Sequence, residues 1–374
     1  MKRRLALLLL LAPTPAAVAQ DRPYARAERV DSVVRAEVDR QEIVGLAVVV
    51  IDGGEVAWAK GYGFADREKG VRVDPAATQF RWASISKSVT AVAALQLAEK
   101  GLLDLDADVR TYVPEFPDKG VKITSRDLLR HQAGIVHYTN GPVVRTERQY
   151  DNPHPFADVV VALDRFKDSP LVNRPGEKFS YTTHGFILLS AVVERAGAQR
   201  FADQVRARIA GPLGMADFRP DYPWEDIPLR AVGYTRRDGR VVPRPAEEDE
   251  DVSWKLGGGG FTSPATDLAD FGVGLLRRRL VSEETERLMW TVNKPADPKG
   301  AKPYGLGFFV IDLPGGRKLV GHDGSQSKTR TALLLDPADQ KGIALMTNSE
   351  WVDAMKLAMS LLDAIREAPT PAGG

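Results

Sequence analysis

The sequence predicts an α/β (α+β) protein in which one antiparallel sheet, flanked by helices, is built from both ends of the chain, with a mainly helical lobe inserted between them. Near the beginning, apolar runs at 46–51 and 55–60 flank Asp52-Gly53-Gly54, a pattern typical of a β-hairpin. Near the end, the apolar runs 331–335 and 342–346 predict a second hairpin. The segments between the two hairpins carry mostly helical periodicity.

The helices follow from apolar periodicity and from residues that start or stop a helix. A helix is predicted within 24–44, packed on the sheet, and another runs from Ser84 to a left-handed stop at Gly101. Further helices are predicted at 121–135 (a short capped helix stopped by Gly134), 156–166, 186–195, 201–209 and 351–367.

No Ser/Gly linker, repeat or low-complexity segment divides the chain. We therefore expect one catalytic domain over residues 20–370, with an α/β lobe at about 24–100 and 255–370 and a helical lobe at about 101–254. Strands from both ends of the chain can share one sheet only if the chain leaves the sheet to form the helical lobe and then returns to it. A cleft is expected where the two lobes meet.

Composition excludes some classes of protein. The 374 residues include 51 Lys and Arg against 50 Asp and Glu, a net charge of +1. Such a balance argues against a nucleic-acid binder and against an electrostatic membrane binder. The chain has no cysteine, but at this length it can bury enough apolar surface to fold without disulfides.

The first residues match a secretory signal peptide. Met1-Lys2-Arg3-Arg4 is followed by an apolar run at 5–12 and by Ala17-Val18-Ala19, which predicts a signal peptide over 1–19 that is cleaved after Ala19. The apolar run is too short to span a bilayer. We therefore expect an exported protein with no integral membrane anchor after cleavage.

Ser84 and Lys87 are the candidate nucleophile and its partner. At the start of a helix they stand one turn apart on the same face, where a lysine with a lowered pKa can take the proton of a serine hydroxyl. The first turn also supplies backbone donors for an oxyanion. The Ser-x-x-Lys spacing alone is weak, since Ser325 and Lys328 share it. That second match precedes a predicted strand and lacks the helix geometry.

Two other patterns suggest a metal site and a phosphate site, but their neighbouring residues support neither. His131 and His137 suggest a metal site, but no carboxylate cluster or His-Glu-x-x-His spacing accompanies them. The glycines at 257–260 suggest a phosphate cradle, but no Gly-Lys-Ser/Thr follows. We expect neither a metal nor a nucleotide site.

A second motif carries a family resemblance. The stretch 173–189, with Pro175-Gly176 and Tyr181-Thr182-Thr183, resembles the second motif of the class C β-lactamase, DD-peptidase (penicillin-binding protein) and serine esterase superfamily. In motif style it is most similar to the mitochondrial serine β-lactamase-like proteins. The resemblance places Tyr181 on the catalytic tyrosine, with Lys87 expected to stabilise its phenolate. Thr183 stands where asparagine is commonest, which alters the expected contacts to the lysine and the substrate.

A third motif, Gly321-His322-Asp323-Gly324-Ser325, resembles the His-x-Gly that many members carry where β-lactamases have Lys-Thr-Gly. The resemblance implies that His322 lies on a strand that lines the cleft, where it forms a hydrogen bond with the tyrosine or the substrate. It also implies that the Ser325 amide lies opposite the Ser84 amide and completes an oxyanion hole. After Gly324, the bulkier, basic stretch 325–330 suggests a narrowed site or an acidic substrate.

These motifs imply a β-lactamase/transpeptidase-like fold and a serine hydrolase that forms an acyl-enzyme on Ser84, with Lys87, Tyr181 and His322 as catalytic partners. The resemblance favours a peptidase-like activity on the amide bonds of a small molecule or peptide, with no metal or organic cofactor, in the bacterial periplasm or outside the cell. A serine esterase and a β-lactamase remain alternatives with the same site. A catalytically inactive binding or scaffold protein is the alternative from another class.

Overall fold

The computed structural model describes residues 24–245 and 250–366. The predicted signal peptide, 1–19, lies outside the described residues. Within these two ranges, no helix combines the length and the apolar character needed to cross a bilayer.

The central element is a seven-stranded sheet with the order β3-β2-β1-β12-β11-β10-β9. In it, β1 pairs antiparallel with β12, with Leu46 opposite Thr347, so the two ends of the chain meet in the middle of the sheet. This confirms the predicted sheet and both predicted hairpins. Its strands are β1 (Gly45–Asp52), β2 (Glu55–Asp66), β3 (Val71–Arg72), β9 (Phe309–Asp312), β10 (Lys318–Gln326), β11 (Thr329–Asp336) and β12 (Lys341–Thr347).

Helices cover both faces of this sheet. On one face, Val30 and Leu361 share an apolar cluster with Val48 of β1. On the other face, the helix that contains Gly272 packs closely on the strands. A Cβ at Gly272 would lie 3.0 Å from side-chain atoms of Ile51 and Leu333, so the close contact is made at a residue without a side chain. The helices are α1 (Ala27–Gln41), α2 (Ser86–Glu99), α3 (Ser125–Leu129), α4 (Thr183–Ala196), α5 (Phe201–Val205), α6 (Gly211–Leu213), α7 (Leu256–Gly259), α8 (Ala265–Leu276), α9 (Glu283–Met289) and α10 (Ala354–Arg366).

The helix predicted at 156–166 is wrong. Two short 3₁₀ turns, Pro155–Ala157 and Val161–Arg165, occupy the segment. Between them the Asp158 side chain accepts from the amide of Val160 at 2.9 Å. A carboxylate that accepts hydrogen bonds from nearby amides offers the backbone an alternative to the α-helix. The first turn therefore ends before Asp158, and a separate turn begins after it.

The helix predicted within 121–135 is shorter than expected. Its capping box, Thr124 with Asp127, is present, but α3 ends at Leu129. The stop is His131, which has φ +57°, rather than Gly134. A left-handed non-glycine residue is uncommon, and the contacts that hold His131 in this conformation belong to the candidate site.

Two smaller sheets complete the fold. The first has the order β4-β8-β5, and in it Phe80 pairs with Ser263. The chain segment that leads into Ser84 is thereby tied to the segment that follows the glycine run. The second sheet pairs β6 with β7 inside the lobe that was predicted to be mainly helical. The strands are β4 (Phe80–Arg81), β5 (Arg219–Pro220), β6 (Tyr234–Arg237), β7 (Arg240–Pro243) and β8 (Phe261–Ser263).

A buried ion pair anchors the first small sheet. Arg81 Nε lies 2.6 Å from Asp221 Oδ2, and the two side chains are only 6% and 1% exposed. Removing one partner of a buried pair leaves the other charge without compensation. This buried contact therefore fixes the position of β4 and of the chain segment that leads into Ser84.

We expect Asp221→Ala to lower the free energy of unfolding by about 3–5 kcal/mol, because Arg81 would remain buried without its carboxylate. The matched control is Asp217→Ala. Asp217 also faces an arginine, Arg219, but at 3.6 Å with its side chain 52% exposed. Loss of the Asp217 carboxylate should change the free energy of unfolding by less than about 0.5 kcal/mol. Urea denaturation measures both values, and equal losses would contradict the importance of burial.

Candidate active site

Ser84 lies in a single 3₁₀ turn, Ala83–Ile85, that leads into α2. The preceding residue, Ala83, has φ +48°, a conformation that costs free energy for a residue with a side chain. Neighbouring contacts hold it: the Trp82 indole donates to Ser263 Oγ at 2.7 Å, and Thr331 Oγ1 donates to the Trp82 carbonyl at 3.1 Å. This bend leaves Ser84 partly exposed while Ala83 and Ile85 on either side are buried.

Lys87 is the centre of the site. Its side chain is fully buried, and its Nζ lies 3.0 Å from Ser84 Oγ and donates to the Gly258 carbonyl at 2.6 Å and to Thr183 Oγ1 at 3.2 Å. Burial lowers the pKa of Lys87 well below its usual range, and the nearby charge of Lys255 lowers it further. A neutral amine beside a serine hydroxyl is a suitable proton acceptor.

Tyr181 lies just before α4, with its ring centroid 5.0 Å from Lys87 Nζ. Burial raises the pKa of Tyr181, and a hydrogen bond with Ser84 opposes the rise. Both shifts favour the uncharged forms, the amine of Lys87 and the phenol of Tyr181. The stabilisation of a Tyr181 phenolate by Lys87 stays a prediction. A raised pKa favours the phenol, a proton donor, over the phenolate, a proton acceptor.

Two buried histidines hold the segment that carries Tyr181. The Thr182 amide donates to His131 Nδ1 at 3.1 Å, and the His131 ring centroid lies 4.2 Å from that of Tyr181. The Thr183 amide donates to His137 Nδ1, also at 3.1 Å. Burial, with Lys87 nearby, lowers the pKa of both, for His137 to about 3. They are neutral acceptors that position Tyr181 and Thr183.

Sequence reasoning weighed these histidines only as metal ligands and missed their contacts. Nothing in their spacing indicates which amides they accept from, since those amides lie 46 and 51 residues further along the chain. Within the described ranges, no group of three or more His, Cys, Asp or Glu side chains is placed to hold a metal ion.

His322 lies on β10, the strand on which it was predicted. Its Nε2 is 3.0 Å from the hydroxyl of Tyr304, whereas its ring centroid is 6.4 Å from that of Tyr181. Burial is the main cause that lowers the pKa of His322 to about 4, with Asp323 opposing the shift and Lys87 adding to it. The histidine is therefore neutral at pH 7, and its tyrosine partner is Tyr304, which sequence reasoning did not identify as a site residue.

Gly324 brings β10 against the nucleophile turn. A Cβ at this position would lie 2.5 Å from the Trp82 carbonyl and 2.9 Å from Ala83 Cβ, so only glycine fits. The pairing of β9 with β10 stops at Gly321, opposite Phe309, and the part of β10 beyond it forms the edge of the sheet. This arrangement places Ser325 beside the turn that carries Ser84. The function of the Ser325 amide in an oxyanion hole stays a prediction.

The basic residues after Gly324 make contacts within the protein. Arg330 donates to the carbonyls of Gln326 and Thr329 at 2.8 and 2.7 Å. Lys328 packs its side chain on Gly233, and its amide donates to Glu350. These contacts give no support to the expected preference for an acidic substrate.

The chain has relatives among known proteins. The family model of Beta-lactamase matches residues 30–364. The human mitochondrial serine beta-lactamase-like protein LACTB is 32% identical over 327 residues, which cover 67% of this chain and 58% of the human protein. The chain thus spans less than two thirds of the length of this relative. The superfamily resemblance predicted from the motifs is confirmed.

Solved structures agree on the fold. The octameric penicillin-binding protein homologue from Pyrococcus abyssi superposes with a TM-score of 0.75 at 26% identity, over 92% of this chain and 78% of that one. EstCE1, a hydrolase with promiscuous acyltransferase activity, gives 0.75 at 22% identity over 92% and 99% of the two chains. The second likeness shows the fold alone. The predicted β-lactamase/transpeptidase-like fold is confirmed.

The protonation states above predict how the reactivity of Ser84 depends on pH. The rate of Ser84 phosphonylation by a fluorophosphonate, followed by intact mass, should rise with pH through the lowered pKa of Lys87, because the neutral amine accumulates above that pKa. Lys87→Arg should lose this rise, since its guanidinium stays protonated.

His322→Gln supplies the control for that profile. His322 has a pKa of about 4 and is already neutral above pH 5, so its replacement should leave the pH profile between 5 and 9 unchanged in shape. A rise that survives in Lys87→Arg would show that another group accepts the proton.

Proposed function

Because the chain belongs to the beta-lactamase family, we propose that it is a serine hydrolase that forms an acyl-enzyme on Ser84 and then hydrolyses it. One observation carries the proposal: the fully buried Nζ of Lys87 lies 3.0 Å from Ser84 Oγ, at the start of a helix. A buried amine at hydrogen-bond distance from a serine supplies the base that an unaided hydroxyl lacks.

Acylation follows from these positions. Lys87 takes the proton of Ser84 as Oγ bonds to the substrate carbonyl carbon, and the carbonyl electrons move to its oxygen. The amides of Ser84 and Ser325 are proposed to stabilise that oxyanion. As the intermediate collapses, the bond to the leaving group breaks and Tyr181 donates its phenolic proton to that group. The Lys87 ammonium then returns a proton to Tyr181.

Deacylation runs through the same groups. Water attacks the acyl carbon as Lys87 accepts its proton, and Ser84 Oγ leaves and recovers a proton through Tyr181. Each group regains its resting protonation state after one turnover. The substrate gains one water, so no redox partner is involved.

Amide bonds are the favoured substrates in this proposal. An amine is a poor leaving group unless it is protonated, whereas an activated alcohol leaves more readily. Tyr181, whose pKa is raised by burial, is a neutral donor at working pH. Thr183 contacts Lys87 in the position where an asparagine was expected, and we propose that it supports the amine there.

We further propose that the protein is exported. The support is the charged, apolar and small-residue order of residues 1–19. Expression of the full chain in a bacterium, followed by fractionation and N-terminal sequencing, tests this. A periplasmic protein that starts at Gln20 is expected, and an uncleaved cytoplasmic protein would contradict it.

The two Ser-x-x-Lys matches of the chain provide a matched pair for testing the nucleophile. Incubation with a fluorophosphonate should add one adduct to the wild type, none to Ser84→Ala, and one to Ser325→Ala, because only the backbone amide of Ser325 is proposed to act. Intact-protein mass spectrometry gives the readout.

Thermal denaturation of each variant shows that lost labelling is not lost folding. No adduct on folded wild-type protein would overturn the proposed hydrolase and favour a binding protein. An adduct that survives in Ser84→Ala would place the reactive serine elsewhere.

Tyr181→Phe tests the proton donor. For one acyl group, we expect kcat/KM to fall about 10²–10⁴-fold with a p-nitroanilide, but less than about tenfold with the p-nitrophenyl ester, whose leaving group needs no proton. The control is Tyr304→Phe, which removes the hydroxyl that meets His322 and should affect both substrates alike. Equal losses with both substrates in Tyr181→Phe would contradict its function as the donor.

A further inference from the structure

One charged side chain near the reactive groups has no part in the mechanism above. Asp323 lies on β10 between His322 and Gly324, at the strand edge that β9 leaves uncovered. Its side chain is 48% exposed, and its Oδ1 lies 3.9 Å from His322 Nδ1. A carboxylate therefore stands at the surface of the strand that meets the Ser84 turn.

The charge of Asp323 reaches the whole reactive cluster. Burial is the main cause of the displaced pKa values of Lys87, Tyr181 and Tyr304. The negative charge of Asp323 adds to the raised pKa of the two tyrosines and opposes the lowered pKa of Lys87. A charge that acts on all three groups also acts on a charged substituent of a substrate bound among them.

Asp323 has no cationic partner of its own. In residues 24–245 and 250–366, the one ionisable side chain within ion-pair distance of its carboxylate is His322, which is neutral at pH 7. The buried Lys255 pairs with Glu250 at 2.8 Å. The exposed Lys302, whose charge also reaches His322, has its Nζ 5.7 Å from the Phe309 ring centroid.

The basic side chains of the turn that follows β10 make other contacts. Arg330 donates to two main-chain carbonyls of the turn, and Lys328 lies against Gly233. Burial favours the uncharged form of Lys87. The half-exposed carboxylate of Asp323 is therefore a charge that a substrate can meet beside the nucleophile.

We propose that Asp323 selects acyl donors that carry a positive charge, such as an ammonium group close to the scissile carbonyl, and disfavours donors with a carboxylate there. The inference rests on the proposed acylation of Ser84 and names the substrate class of that site. Opposite charges at short range in a partly buried cleft attract, and like charges repel. The proposed selection leaves the covalent steps of acylation and deacylation unchanged.

Three fluorophosphonates with tails of equal length test the selection. The tails end in trimethylammonium, in its uncharged isostere tert-butyl, or in a carboxylate. The measured quantity is the second-order labelling rate by intact mass. In the wild type the cationic probe should react about five- to tenfold faster than the neutral one, and the carboxylate probe slower by a similar factor.

Asp323→Asn keeps the shape and removes the charge, so both ratios should approach one. The matched control is Asp312→Asn, which removes an exposed carboxylate from the neighbouring strand β9 and should keep the wild-type ratios. Raising the salt from about 0.05 to 0.5 M should weaken the selection in the wild type but not alter Asp323→Asn.

The outcomes separate the two proposals. If no probe labels folded wild-type protein, the serine hydrolase fails, and this inference fails with it. If all three probes label Ser84 at equal rates, the hydrolase stands and the selection by Asp323 is wrong. If the ratios are wild-type in Asp323→Asn, another group selects the charge.

Discussion

The proposed chemistry of this protein depends on the burial of one amine, that of Lys87. Lys87 is fully enclosed, and the groups around its Nζ are a carbonyl and two hydroxyls rather than a carboxylate. Without a negative partner, an ammonium in such a place costs several kcal/mol, and the equilibrium moves to the neutral amine. In the proposed mechanism, packing is therefore what makes Lys87 available as the proton acceptor for Ser84. A change that admits water to Lys87 should raise its pKa and leave less of the neutral amine, without altering the nucleophile.

The glycine run is what makes that enclosure tight. A Cβ at Gly257 would lie 2.6 Å from Ser190 Cβ, and one at Gly258 would lie 2.7 Å from Thr183 Cγ2. Helix α7 can therefore approach α4 closely enough for the Gly258 carbonyl to reach Lys87. In the sequence these glycines resemble a phosphate cradle. In the fold they allow two backbones to come together around the amine.

Local patterns were predicted from the sequence, and distant contacts were not. The hairpins follow from neighbouring runs, and the Ser84–Lys87 pair follows from one helical turn, so both were foreseen. The failed helix at 156–166 reflects a competing local cap at Asp158. His131 with Thr182 and Tyr304 with His322 join separate segments, and periodicity carries no information about such partners. Tyr181 and His322 were identified only because their flanking residues resemble a known family.

Reactivity and selectivity in this site share one physical cause. The enclosure that lowers the pKa of Lys87 also lowers the effective dielectric constant around it, so charges act over longer distances than in water. Asp323, although half exposed, thereby influences Lys87 and Tyr181 from the edge of the sheet. The uncharged form of Lys87, which burial favours, does not offset the charge of that carboxylate. In the proposed selection, a positive charge on the substrate supplies that compensation.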